Sequence, residues 1–341
     1  MGLGAGIASQ FGFAQETTPG TPVTVTKFVE YNTETLDFVP NTIQGMGLHA
    51  GGQYARASRY SRTTKTVSGA VTMDLATRTL GVLLKNMLGS SATATQISAT
   101  TAYKQVHNPG PLDGLGLTLQ KGVPEAGSGT VKPYTYNGAK VTSWTISQAL
   151  DAIATLSIGF DAWNEDDVTA LATASYVASN VFNFSQVTTI KFGGTASIAS
   201  GVTSIASGVA VTGLTSFELT GTNPVADSRF FLGSAGVKAN QLENDYRTVS
   251  GKFSGEFSKA QYYDVFKAGT TTPIQVTWTQ GDAGGGNAFT FDIILPACKL
   301  NSGTNNVGGP DIIQGDIEFV ALDDQATTPI QITYISTDTS L

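Results

Sequence analysis

The sequence predicts a mainly β protein of two tandem related modules, each with one short flanking α-helix. Three observations support this. Val67, Gly69, Val71, Met73 and Leu75 alternate with Thr66, Ser68, Ala70, Thr72 and Asp74, and a period of two gives a strand one oily and one polar face. The period then changes. Leu80, Leu83, Leu84, Met87 and Leu88 form the apolar stripe of a short helix, which Gly89 ends as a C-terminal cap. Residues 248–269, TVSGKFSGEFSKAQYYDVFKAG, then restate both elements. Val249, Phe253 and Phe257 face one way; Ser250, Lys252, Ser254, Glu256 and Ser258 face the other. Tyr262, Val265 and Phe266 precede Gly269. A separate match sets Ile158, Phe160, Ala162 and Trp163 against Ile317, Phe319, Ala321 and Leu322, each set followed by acids. Two ordered matches indicate an internal duplication.

At 341 residues the chain suits two domains of ordinary size. Lys and Arg number 19 against 26 Asp and Glu, and a surface that holds nucleic acid tightly has the opposite balance. Cys298 is the only cysteine. That excludes an intrachain disulfide and a cysteine metal cluster, and a buried, inert thiol is expected. No basic residue precedes Lys27, and no apolar run reaches the length of a signal peptide or a membrane span. The sequence therefore predicts synthesis in a cytoplasm and no membrane role.

Taken in order, residues 1–22 are rich in glycine, with Pro19 and Pro22, and read as an N-terminal arm outside the core. Module 1 spans 23–167. Within it, residues 40–65 form a long basic arm: Arg56, Arg59, Arg62 and Lys65 recur every third residue, and no acid appears between Asp37 and Asp74. A connection of this length is functional, disordered, or a hairpin that packs on a neighbour. The matching residues 221–247 mix Asp227, Glu243 and Asp245 with their bases, so the two arms differ electrostatically. Strands are expected at 116–120, 134–147 and 153–163, with a turn near Leu150 and Asp151. A linker follows at 168–178, and module 2 occupies 179–341. The low-charge tract 169–211 contains the near-repeat IASGVTSIASGV. In module 2, strands are expected at 272–278, 289–291, 297–300 and 313–322. The last, 328–334, is expected to pair with a sheet edge of its own chain or the next.

No catalytic constellation emerges. His49 and His107 are the only histidines, sit near no nucleophile motif, and read as exposed loop residues. The acidic runs lack calcium-loop spacing, and residues 281–286 lack the ending and setting of a phosphate loop. No enzyme activity, cofactor or metal is expected. The basic arm is the one sharp electrostatic feature. Its cations suit DNA phosphates with Tyr54 and Tyr60 for stacking, an acidic face of a neighbouring subunit, or solvent; the net negative charge favours the neighbour.

Several features together resemble the tail tube proteins, or major tail proteins, of long-tailed bacteriophages, in particular the two-module type. They are the start with Glu16-Thr17-Thr18-Pro19-Gly20-Thr21-Pro22, the basic arm ending in Thr66-Val67-Ser68-Gly69, and the helix to Leu88-Gly89. Lys140-Val141-Thr142-Ser143-Trp144, Arg229-Phe230-Phe231-Leu232-Gly233 and Glu243-Asn244-Asp245-Tyr246-Arg247 add to it. The resemblance implies β-sandwich or barrel-like tail-tube modules whose sheets join between neighbours into an inner β-barrel. It also implies rings stacked into a tube, with other tail proteins at its ends, that carries DNA into the host without binding it specifically. Asp74 and Glu256, on the polar faces of the repeated strands, are the expected lumen residues. Single-module relatives imply six modules per ring, so a two-module chain is expected to close as a trimer with pseudo-sixfold symmetry, the alternative being a hexamer. Location in the virion tail follows. The rival readings are a surface or secreted β-rich adhesin, which requires an export route, and a hydrolase, which requires a constellation not found.

Overall fold

The computed structural model describes residues 4–303, 306, 307 and 309–341. The expected N-terminal arm contributes β1 (Gln10–Gln15), and the stretch expected as module 1 contributes β2 (Asp37–Gln44), β3 (Tyr60–Asp74), α1 (Gly81–Leu88), β4 (Tyr103–Pro109), β5 (Leu117–Pro124), β6 (Val131–Gln148) and β7 (Thr155–Ala162). Module 2 contributes β8 (Val187–Phe192), β9 (Leu214–Thr222), β10 (Thr248–Glu256), α2 (Asp264–Ala268), β11 (Thr272–Gly284), β12 (Asn287–Leu300), β13 (Gln314–Ala321) and β14 (Gln331–Ser336). The protein is mainly β, with two short helices that both end at a left-handed glycine. Gly89 has φ 101° and Gly269 φ 61°, a conformation that costs glycine little.

An inner antiparallel sheet runs through both modules in the order β2–β3–β7–β6–β9–β10–β13–β12. Its first half, β2–β3–β7–β6, is repeated by its second, β9–β10–β13–β12. The two halves meet where β6 pairs β9, with Trp144 opposite Gly221. Trp144 is buried, and a Cβ on Gly221 would stand 2.1 Å from its ring. The glycine is what lets the indole lie across the joint.

The outer layer is built by strands that change sheets. The first half of β6 pairs β5, which pairs β1. After a bulge at Gly138 (φ 64°) its second half joins the inner sheet, as bulges at sandwich corners do. The early part of β12 likewise pairs β11 and β14 before its end reaches β13. The ladders never return on themselves among the described residues, so both sheets remain open. Between them lies one apolar cluster that includes Phe13, Val71 and Ile158 in module 1 and Phe253, Trp278 and Phe291 in module 2.

Several expectations need correction. Residues 1–22 do not stand outside the core: β1 is paired on both sides, and Phe11 and Phe13 are fully buried. The glycine content that suggested an arm reflects packing, since a Cβ on Gly12 would lie 2.7 Å from the Phe28 ring. The first three positions of that arm lie outside the described residues. The near-repeat IASGVTSIASGV forms a hairpin of Thr195–Ala199 and Val202–Ala206, tied to β14 by a two-way hydrogen-bond pair between Thr203 and Gln331. The segments 289–291 and 297–300 are one strand, carried past Pro296 where β12 changes sheets. His107 is fully buried on β4, not exposed in a loop.

The terminal strand β14 does pair with sheet strands of its own chain, β12 of module 2 and β4 of module 1. β4 belongs to a segment between Gly89 and β5 that module 2 lacks, since there Gly269 leads at once into β11. Module 1 thus lends a strand to the outer sheet of module 2.

Candidate assembly interface

The inner sheet turns its oily side to the core and a polar side outward. On that side hydroxyls stand in rows across the strands. Thr72 and Ser157 are 2.9 Å apart, Thr145 and Thr220 3.2 Å, Ser147 and Thr155 2.7 Å, and Thr222 and Thr248 2.6 Å. Asp74 and Glu256 both lie on this face. Asp74 accepts a hydrogen bond from Asn32 at 2.8 Å, while Glu256 is exposed. Glu218, Asp316 and Glu318 stand beside Lys252 on the module 2 half. The Ser254 hydroxyl, donating at 2.6 Å, and then Lys252 hold the Asp316 carboxyl below the usual range. The module 1 half is mostly hydroxyl; the module 2 half carries most of the charge.

Each end of this sheet has a free edge among the described residues. At one end β2 pairs only β3. At the other, Lys299 and Leu300 at the end of β12 pair only β13, while Cys298 just before them is still paired with Thr272 of β11.

The basic arm is a hairpin formed by β2 and the first half of β3, with its tip at residues 45–59. Arg56, Arg59 and Arg62 are exposed and Lys65 is half-buried. None of the four forms an ion pair among the described residues. Ile43, Met46, Leu48, Tyr54 and Tyr60 are exposed on the same arm. Large apolar side chains interleaved with arginines are the composition of a protein interface.

The matching arm, residues 223–247, is folded down onto module 1. Lys238 is buried in an ion pair with Asp161 at the end of β7. Burial raises the Asp161 pKa, opposed by the hydrogen bonds from Lys238 and Gln241. Gln241 also accepts from the Trp163 indole at 2.6 Å, and its carbonyl accepts from Lys140 at 2.6 Å. At the base, Asn223 donates to the Met87 and Val141 carbonyls at 2.9 and 3.2 Å. Arg247 reaches the Leu88 and Gly110 carbonyls at 2.8 and 2.7 Å and pairs with Glu243. The tip meets the base of the basic arm, where the Lys65 N–H donates to the Gly236 carbonyl at 2.8 Å.

The model of a family described as phage tail tube protein matches residues 6–321, nearly the whole chain. The chain belongs to the phage tail tube protein family. Its role is therefore structural, in the tail of the virion, and the family is not one of enzymes. No curated protein matches the chain.

The expected tail tube residues fall into two groups. Asp74 and Glu256 share one sheet face, and Arg56, Arg59, Arg62 and Lys65 share one arm, but the two groups do not come together. Sequence reasoning missed the latch of Lys238, Gln241 and Asp161. Its partners are 77 to 80 positions apart, and only the mixed charge of 221–247 hinted that this arm is satisfied within the chain. Cys298 is buried, and burial pushes its thiol pKa up, the expected inert state.

Proposed function

We propose that copies of this chain join head to tail through the free edges of the inner sheet, closing a ring of three chains and two modules per chain. Rings stack into the tail tube, and the polar sheet face lines a channel through which DNA passes into the host. The observation that carries this reading is that the two ends of the inner sheet are counterparts of the two strands that pair in its middle. Residues 139–144, AKVTSW, match 298–303, CKLNSG, so the end of β12 is the counterpart of the joint half of β6. β2 is likewise the counterpart of β9. The β6–β9 joint is then an in-chain copy of the seam between chains. Its aromatic-over-glycine contact recurs with the sides exchanged, Phe38 standing for Gly221 and Gly303 for Trp144. A paired seam also removes the open edges, which otherwise template aggregation.

The face placed on the channel suits passage without capture. Rows of hydroxyls interspersed with Asp74, Glu218, Glu256, Asp316 and Glu318 repel phosphates, and few cations are present to hold them. The division at 168–178 separates the two ring-building modules. The basic arm reaches a neighbouring subunit. Negative-stain imaging of the purified protein with rotational averaging tests the ring: hollow rings of three chains are expected, and rings of six whole chains or stable monomers would overturn it.

A further inference from the structure

We propose that the basic arm of one copy docks on module 2 of the adjacent copy in the same ring, at a socket formed by Leu322, Asp323 and Asp324 beside Tyr246. This rests on the ring reading above. The argument comes from the second arm, which is seated in the chain. The two arms align by the shared Thr-Val-Ser-Gly that follows each, so Lys65 matches Arg247, Arg59 matches Gln241 and Arg56 matches Lys238. The receiving surfaces align as well: Trp163, which the second arm covers, matches Leu322, and Asp161 matches Val320.

On module 1 the socket is filled. Trp163 donates to Gln241, Asp161 pairs with Lys238, and the arm tip reaches the strand base at Lys65. On module 2 the same surface is empty among the described residues. Leu322 is 39 % exposed and Tyr246 90 % exposed, and Asp323, Asp324 and Asp245 have no cationic partner. The arm that aligns with the seated one carries Arg56, Arg59 and Arg62, unpaired among the described residues, and several exposed apolar side chains. The charge and the apolar surface left over on each side are therefore complementary. The partner that fits is a second copy of this chain, because the chain already seats one such arm on the matching surface of module 1.

The alignment names the contact to test. In full-length protein, R59C and L322C are combined; Cys298 is buried and gives no background. After assembly and mild oxidation, non-reducing gels are expected to show chains linked to one another, up to closed trimers, while either single variant stays unlinked. A control pair across the proposed seam, V39C with S302C, reports the ring independently. Linking of the control without linking of R59C/L322C would overturn the docking and leave the ring standing. Failure of both pairs to link would overturn both. A charge swap supplies a second measurement: D323R/D324R is expected to lose tubes by at least tenfold in pelleted protein, and adding R56E/R59E to restore them. A swap with no rescue, in protein whose circular dichroism is unchanged, counts against the socket.

Discussion

The two arms begin as the same insertion and end in opposite states. Residues 223–247 lie against module 1 with their lysine buried in an ion pair and their glutamine on an indole. Residues 40–65 project with exposed arginines and exposed apolar side chains. Charge accounts for the difference. The seated arm carries its own acids and meets Asp161, whereas the projecting arm has no acid, and its cations form no ion pair among the described residues. One arm stabilises the chain; the other is left over for something else.

Four experiments break or sharpen that contrast. The largest effect is expected from charge reversal on the projecting arm: R56E/R59E/R62E should abolish tube formation in sedimentation assays while leaving the unfolding midpoint unchanged. Next is K238A on the seated arm. It leaves Asp161 buried without its cation, so denaturant unfolding should show a loss of about 3–5 kcal/mol. If the two variants behaved alike, the division of labour between the arms would be wrong.

A third effect concerns β4, the strand that only module 1 possesses. His107 is fully buried there, neither ring nitrogen has a hydrogen-bond partner among the described residues, and burial lowers its pKa from 6.5 to about 3. The unfolded chain binds the proton that the folded chain refuses. The stability due to neutral His107 is therefore complete above pH 6.5 and is lost as pH falls toward 3, by up to about 1.4 kcal/mol per pH unit. H107L should flatten that slope in pH-dependent unfolding. The smallest effect is expected on the inner sheet face, away from both arms. Lys252 and Asp316 are 3.5 Å apart with side chains 42 % and 53 % exposed, so K252A should cost at most about 1 kcal/mol, and less in high salt.

How much of this was legible depended on range. The strand and helix of residues 66–89 could be read because alternation and the helical stripe are local, and the structure follows them to the capping glycine. β6 and β7 were legible for the same reason. β1 was not, because a short Phe-Gly-Phe strand needs Phe28 beside it before its glycine makes sense. β4 was missed because it is a strand covered on both faces, with Gln105, Val106 and His107 buried in succession. At the candidate interface, the cations of the projecting arm and the polar faces holding Asp74 and Glu256 stood out in sequence. The joint between β6 and β9 did not. Pairing partners more than 70 residues apart leave no periodic trace, and only the folded chain brings Trp144 onto Gly221.

The strand lent by module 1 has a mechanical consequence. Inside one chain, among the described residues, two strand ladders join the modules, β6 with β9 and β4 with β14. In the proposed ring, a seam between chains would repeat the first bond without a counterpart of the second, because module 2 lacks the lending segment. Such a ring would alternate rigid and compliant joints. When the tube bends or swells, the strain would gather at the compliant ones, which act as evenly spaced hinges around the circumference.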